Sequence, residues 1–406
     1  MKATQCRICN GSLTEFFDFG NMPIANGFLT PDEYKTEYFY RMKVGYCPTC
    51  SMVQLIDQPE RERMFHDHYA FFSSTSTFMA RHFKQLAEKV QARFPDPDPF
   101  IVELGSNDGI LLQNFAQTGV KHLGVEPSGN VAKVAIEKGI NTISTFFDEI
   151  TAEKILADYG NASAIIAANV MCHIPDLHSV VRGMKKLLKS NGVIIMEDPN
   201  LGDIIEKTSY DQIYDEHVFY FSLLSLTNLF DQYNLEIFDL EHLNVHGGSM
   251  RYFISHKGTY PISDGVKAQI TKEKKMNLSS PEPYHRLKKN IKSSRENLLK
   301  ILKQLKKENK RVVGYAATSK STTVTNYCGL TPDLVEFISD TTPIKQGKFS
   351  PGAHIPVRSH DSFKQNYPDY ALLFGWNHSE EIMKNEQAFK EAGGKWIVYV
   401  PRVDIL

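Results

Sequence analysis

Phe100-Ile-Val-Glu-Leu-Gly-Ser-Asn-Asp-Gly-Ile-Leu-Leu112 decides the fold of this chain. The apolar run from Phe100 to Leu104 reads as a strand, Gly105 to Gly109 as a turn, and the apolar residues that follow as a helix start. Glycines in such a turn let the backbone pass close beneath a ligand. About twenty residues on, Leu123-Gly124-Val125 reads as a second strand tipped by Glu126 and followed by Pro127, and an acid so placed in a doubly wound sheet accepts from ribose hydroxyls. Residues 164–170, with Asn169 at the tip, and residues 192–197 read as a third and a fourth strand. The intervening segments have helical length, so a mainly parallel sheet and an α/β fold are expected. The glycine spacing is GxxxG rather than GxGxxG, which argues against a dinucleotide and against a phosphate loop. A ligand with a ribose and no pyrophosphate fits better, and S-adenosylmethionine is one. Its candidate contacts are Glu103 for the amino group, with Gly105, Asn107, Gly109, Glu126, Pro127 and Asn169. A bare α/β domain without a ligand is the alternative.

The rest of the chain bounds this reading. Its 406 residues predict two to three domains. Lys plus Arg total 46 and Asp plus Glu 47, so the global basic excess of a nucleic-acid binder is missing. No run approaches the length of a membrane span, and the first residues lack the apolar run of a signal peptide. A cytoplasmic, reducing location is therefore expected, in which cysteines signal metal or chemistry before disulfides. Cys6-Arg-Ile-Cys9 and Cys47-Pro-Thr-Cys50 are two CxxC knuckles, a spacing that suits a closed four-thiolate zinc site with a structural role. Two buried pairs of free cysteines, or a redox CxxC, are the competing readings. The following aromatic run, which includes Tyr69, fits either a core edge or a pocket lining; His66 and His68 read as surface or substrate-facing.

A polar cluster, Asp211-Gln-Ile-Tyr214-Asp215-Glu216-His217, is followed by the aromatic stretch Val218-Phe-Tyr-Phe221. Tyr214 and His217 share a face if this segment is helical or tightly turned. Partial burial there would shift pKa values, with Glu216 or Asp215 orienting the imidazole and stabilising its cation. A satisfied core histidine is the competing reading for His217, and a capping or cofactor-packing histidine for His173. From residue 272 to 311 the chain is Lys-rich, and Leu287, Ile291, Leu298, Leu302 and Leu305 trace a helical stripe. A long packing helix with a solvated basic face is expected. Beyond it, residues 311–315 read as a strand, residues 316–321 as a hydroxyl-rich turn and Thr322 onward as a helix. Ser319, Lys320, Ser321 and Thr322 are candidate diphosphate contacts at that helix N-terminus. Lys345, His354 and Asn377 at loop ends, and His246, Ser249 and Arg251 beside Gly247 and Gly248, are further substrate-side candidates. Cys172 and Cys328 read as bystanders.

Over essentially its whole length the chain resembles the S-adenosylmethionine-dependent sugar C-methyltransferases, in particular the tetronitrose type that methylates carbon 3′ of a nucleotide-linked 4-keto sugar. CRIC and CPTC, MPIANGFL, VELGSNDGILL, GVEPSGNVA, NVMCHIPDLH, YDEHVFYFS, VHGGSMRY and ATSKSTTVTNYCG carry the resemblance. It implies a zinc-binding N-terminal module, a Rossmann-like methyl-donor domain and a C-terminal α/β (Rossmann-like) domain that helps to hold the sugar nucleotide. We divide the chain as 1–75, 76–255, a helical linker 256–310, and 311–406. The resemblance puts the base role on His217, with Tyr214, Glu216 and His173 in the same site. The expected substrate is a nucleoside-diphosphate 4-keto-6-deoxysugar, dTDP-linked by first preference and GDP-linked by second. It is methylated at carbon 3 through a base-formed enolate by a monomer that binds neither nucleic acid nor membrane. Methylation at another position or heteroatom is the first alternative, and a non-enzymatic zinc-module nucleic-acid-binding protein the second.

Overall fold

The computed structural model describes residues 5–60, 64, 73–75 and 77–406; Tyr69, His66 and His68 lie outside them. Three sheets organise the described chain. In the first, β1 (Thr14–Pro23) pairs antiparallel with β2 (Phe39–Tyr46), and β2 with β3 (Val53–Leu55). Its fourth strand comes from far along the chain: Phe219–Tyr220, β9, pairs with β3. The aromatic stretch after His217 is thus the edge of the N-terminal sheet, which draws the polar cluster against that module.

The second sheet contains β4 (Phe100–Leu104), β5 (Lys121–Val125), β6 (Thr142–Ile143), β7 (Ala162–Ala168) and β8 (Leu188–Pro199), all parallel. β10 (Leu235–Leu243) and β11 (Ser249–His256) extend it antiparallel to one another, with β11 antiparallel to β8. The order is β10-β11-β8-β7-β4-β5-β6. All of β4 is buried, as a strand covered on both faces must be, which is why it reads as an unbroken apolar run. The order reverses at β4, whose neighbours β5 and β7 lead off in opposite directions. Such a switch point opens a crevice at the carboxyl ends of the strands.

The third sheet has the order β14-β13-β12-β15-β16-β17. Its strands are β12 (Val312–Tyr315), β13 (Ile338–Asp340), β14 (Val357–Ser359), β15 (Tyr370–Leu373), β16 (Lys395–Val398) and β17 (Asp404–Ile405). All but the antiparallel β17 run parallel, and the order is that of a doubly wound dinucleotide fold. The helix after β12 begins at Ser319, earlier than the expected Thr322.

The basic segment forms a helix, Asp264–Met276, and a longer one, Glu282–Lys307. Leu287, Ile291, Leu298, Leu302 and Leu305 are all buried on the longer helix, while its lysines face water. It packs on β1 and on the helix Ser319–Cys328, and Tyr284 at its start lies 4.9 Å from the Phe16 ring and 4.3 Å from the Tyr46 ring. It is therefore a strut between the first and third sheets. Among the described residues, no helix is long and apolar enough to cross a membrane.

Truncating the strut tests this packing. Leu298→Ala should cost about 2–5 kcal/mol, read as a lower urea midpoint, whereas Lys300→Ala on the wet face should stay within about 0.5 kcal/mol.

Candidate active site

The four knuckle cysteines, Cys6, Cys9, Cys47 and Cys50, gather into one cluster. Their ligand atoms all lie within 4.8 Å of one another. Cys6 Sγ is 3.6 Å from Cys50 Sγ, and Cys9 Sγ is 3.4 Å from Cys47 Sγ. Four thiolates about 2.3 Å from a tetrahedral zinc would sit about 3.8 Å apart, so the cluster fits the ion with slight expansion. Each knuckle closes by a backbone bond to its first cysteine, Asn10 N–H to Cys6 O at 2.9 Å and Ser51 N–H to Cys47 O at 2.9 Å. Both closing residues take positive φ. The segment between the knuckles is β1 and β2, which accounts for its length.

At the switch point of the second sheet, Gly105 and Gly109 adopt φ of +62° and +80°. A Cβ on Gly105 would lie 2.4 Å from Val170 Cγ2, and one on Gly109 would lie 2.9 Å from Ile140 Cγ1, so the turn admits only glycine. Glu126 accepts from Asn107 N–H at 2.9 Å and Ser128 N–H at 2.8 Å, so the acid also braces the turn it faces. Asn107 Oδ1 accepts from Ser73 N–H at 2.9 Å. Pro127 follows Glu126 in the loop. Burial, with Glu126 and Asp108 nearby, raises the Glu103 carboxyl well above its ordinary range. Glu103 Oε2, Ser106 Oγ and Asn169 Oδ1 are buried with no hydrogen-bond partner within the described chain. Orphaned polar atoms around a glycine cradle are what a polar ligand would satisfy. Glu103 suits the ammonium of S-adenosylmethionine and Glu126 its ribose, so the residues fit this cofactor.

Beyond the cradle, the turn Met171–His173 brings His173 to His217, their ring centroids 5.1 Å apart. His217 Nδ1 lies 2.8 Å from the Gln212 carbonyl, which can only accept, so Nδ1 carries the proton. Nε2 is then the lone-pair nitrogen, and it accepts from the Tyr214 hydroxyl at 2.8 Å. The two side chains share a face because His217 N–H closes a tight turn on Tyr214 O. Withdrawal from water, with His173 and Lys320 nearby, pushes the His217 pKa well below its ordinary value. The same withdrawal takes His173 down to about 4. Both rings are neutral at pH 7. This corrects the expectation that Asp215 or Glu216 orients the imidazole and favours its cation: a carbonyl orients it, and burial favours the neutral form. The ligand atoms of Cys172, His173 and His217 also lie within 4.8 Å of one another. Both His217 nitrogens are already engaged, by the Gln212 carbonyl and the Tyr214 hydroxyl.

The two carboxylates turn instead to the N-terminal module. Asp215 Oδ1 accepts from Ala25 N–H at 2.9 Å, and Glu216 Oε1 from the Asn26 side-chain amide at 2.6 Å. Thr322 of the third-sheet region donates to Ala25 O at 2.8 Å, and Thr323 to Ile213 O at 2.8 Å. These hydroxyls join the three parts of the chain, and Ser321 Oγ caps onto Thr318 O, so the side chains of Ser321 and Thr322 do not face a ligand. Ser319 opens the same helix and is half-buried.

Lys320 is buried and donates to Asn377 Oδ1 at 3.1 Å, with its ammonium 5.3 Å from the Trp376 ring. Its charge, after burial, is the next influence that lowers His246, down to about 3, and it also bears on His217 and His378. His217, His246, Lys320 and Asn377 therefore converge. Lys345 donates to Ala317 O at 2.8 Å and lies 5.0 Å from the Phe28 ring, within electrostatic reach of Glu216. Arg251 is engaged by carboxylates: its guanidinium pairs with Glu197 at 2.9 Å and Glu241 at 3.0 Å, and Glu197, which also bonds His82 at 2.7 Å, lies within electrostatic reach of His246. His354 pairs with Glu37 at 2.7 Å and stacks on Tyr34. Cys172 and Cys328 are buried thiols pushed upward by burial.

Sequence reasoning missed several groups. Asp211 is wholly buried and accepts from Trp376 Nε1 at 2.6 Å and the Tyr399 hydroxyl at 2.7 Å, tying the polar cluster to the third sheet. Asp198, at the end of β8, is raised to about 8 by burial. The acidic pair Glu197-Asp198 at a strand end was the available signal; no sequence signal pointed to the Asp211 latch or to Asn26.

Comparison with known proteins agrees with this layout. Residues 6–65 match a putative zinc binding domain, 77–240 a methyltransferase domain and 244–401 a C-methyltransferase C-terminal domain. The chain is 31% identical to the C-methyltransferase NovU of Streptomyces niveus, over 99% of this chain and 96% of that one. The protein belongs to the S-adenosylmethionine-dependent C-methyltransferase family. A ubiquinone biosynthesis O-methyltransferase of Colwellia psychrerythraea is 30% identical over 30% of this chain and 51% of its own. Among solved structures, an S-adenosylmethionine-dependent methyltransferase of Clostridium acetobutylicum aligns with a TM-score of 0.35 and 12% identity, over 44% of this chain and 92% of that one.

In this C-methyltransferase, Gly105→Ala should weaken S-adenosylhomocysteine binding by about tenfold or more in calorimetry, because the added methyl meets Val170. Cys47→Ser, or a strong chelator, should release zinc measured by metal analysis and lower the thermal midpoint.

Proposed function

We propose that the enzyme methylates carbon 3 of a nucleotide-linked 4-keto-6-deoxysugar through an enolate, in the making of a branched deoxysugar. The observation that carries this reading is the neutral His217, with its Nε2 lone pair held by the Tyr214 hydroxyl beside His173. A carbon nucleophile needs a base for a weakly acidic C–H, and a ketone at carbon 4 makes the carbon 3 hydrogen removable. Neutral imidazole suits that task near neutral pH.

In this proposal the substrate's carbon 3 hydrogen takes the place of the Tyr214 hydroxyl at Nε2, and the ketone oxygen accepts from that hydroxyl instead. The carbon 3–hydrogen bond breaks, the proton passes to His217 Nε2, and the electron pair moves onto the carbon 4 oxygen. The Gln212 carbonyl keeps Nδ1 protonated, so Nε2 is the only nitrogen able to accept. Tyr214, and an N–H of His173, donate to the developing oxyanion, and each such donor contributes about 3–4 kcal/mol in a water-excluded site. Glu103, Glu126 and Asn169 hold S-adenosylmethionine, which when bound supplies an electrophilic sulfonium methyl for the carbon to take. His217 afterwards returns its proton to solvent.

Lys320, Asn377, Ser319 and Lys345 are assigned to the substrate's diphosphate and sugar, and His246 to the cavity wall. A buried cation beside three neutral histidines supports an anionic ligand there. The nucleotide is dTDP by first preference and GDP by second. Four zinc thiolates suit a reducing cytoplasm, and we take the chain to act as a monomer divided at residues 75, 255 and 310.

The test is to incubate a panel of dTDP- and GDP-linked 4-keto-6-deoxysugars in deuterated water. Deuterium should enter carbon 3, and mass analysis with S-adenosylmethionine should show a carbon-bound methyl. Methylation on oxygen or nitrogen would overturn the reading. His217→Asn should slow exchange by about 10²–10⁴-fold, and Tyr214→Phe should lower kcat by about 10²–10³-fold. Because burial lowers the His217 pKa, the base stays neutral as pH falls through 6.5. The acidic limb of the exchange rate should therefore lie below the ordinary histidine midpoint of about 6.5.

A further inference from the structure

Glu216 is a nearly inaccessible carboxylate at the meeting point of the three parts of the chain, 3% exposed. Its Oε1 accepts a 2.6 Å bond from the side-chain amide of Asn26, 190 residues away. Asn26 lies in a turn just after β1, between the zinc knuckles, and the same turn presents Ala25 N–H to Asp215. The turn is itself pinned, because Ala25 O accepts from Thr322. Its location follows from the module's construction: β1 runs from the first knuckle towards the cluster, and β9, just after His217, adds to the same sheet.

We propose that Asn26 is a positioning residue for the methylation, acting through Glu216, so that the zinc module supplies a working wall of the active site. The inference rests on the reading of Glu216 as a member of that site. A neutral amide is a suitable donor here. It donates to one oxygen of a buried carboxylate and fixes its plane without adding a charge of its own. With its plane fixed by Asn26, the Glu216 carboxylate is held in one orientation, next in the chain to His217. The adjacent Asp215, buried beside Glu216, has its carboxyl held well above the ordinary range by burial and by that neighbour.

The experiment uses the full zinc-loaded chain and dTDP-4-keto-6-deoxyglucose as probe, with deuterium entry at carbon 3 as readout. Asn26→Ala should slow exchange by about tenfold to a hundredfold, the range for loss of a hydrogen bond to a charged group. Zinc content and S-adenosylhomocysteine affinity should be unchanged. In a Glu216→Gln background the same substitution should add little, because both act through one group. Asn26→Asp should be slower than Asn26→Ala at neutral pH and should recover as pH falls, since protonating the new carboxyl restores a donor to Glu216. A purely structural role would show no such recovery. If Asn26→Ala adds its full effect to Glu216→Gln, or lowers zinc content or S-adenosylhomocysteine affinity by the same factor, Asn26 is structural and the proposal is overturned. If Glu216→Gln exchanges at the normal rate, or the unaltered enzyme does not exchange, the reading of the site fails and this inference fails with it.

Discussion

Two neighbouring carboxylates, Asp215 and Glu216, are buried side by side, and another part of the chain supplies a donor to each. Leaving a buried charge without a partner costs several kcal/mol, and here the Ala25 N–H and the Asn26 amide meet that need from the N-terminal module. The requirement organises the molecule. It holds the zinc module against the methyltransferase domain, and Thr322 then locks the C-terminal domain onto the same turn. The tight turn that closes Tyr214 onto His217 is thereby enclosed by all three parts of the chain, and its enclosure keeps the imidazole neutral.

The same logic explains the division of labour among the sheets. The second sheet places a glycine cradle and two acids at its switch point, where a cofactor with a ribose can be gripped. The third-sheet region brings Lys320, hydrogen-bonded to Asn377, within electrostatic reach of His217 and His246. Asp211 secures that approach by accepting from Trp376 and Tyr399, so the residues flanking Asn377 are fixed from the methyltransferase side. Trp376 in turn rests on Gly247, where a Cβ would lie 2.3 Å from the indole, which gives the glycine pair of VHGGSMRY a packing role.

Much of this was legible where the physics is local. The knuckles, the glycine turn, the strand tips at Glu126 and Asn169, and the leucine stripe of the strut all follow from spacing within a few residues. The reading of Asp215 and Glu216 as partners of the imidazole was wrong because chain proximity is not side-chain direction. Within a tight turn the carboxylates point across to Ala25 and Asn26, while the imidazole finds the Gln212 carbonyl. Arg251 and His354 read as substrate-side polar groups, and the structure adds carboxylate partners that spacing could not show, Glu197 with Glu241 and Glu37 respectively.

By itself the sequence determined the α/β class, the four clustered thiols, the glycine turn and the family, because each is written in short motifs whose residue types and spacing are their own physical signature. Only the tertiary structure decided which nitrogen of His217 carries the proton, that burial lowers both histidines, and that a turn between the zinc ligands reaches Asp215 and Glu216. Those outcomes depend on burial and on contacts across as many as 190 residues, and desolvation is a property of the packed whole rather than of any segment.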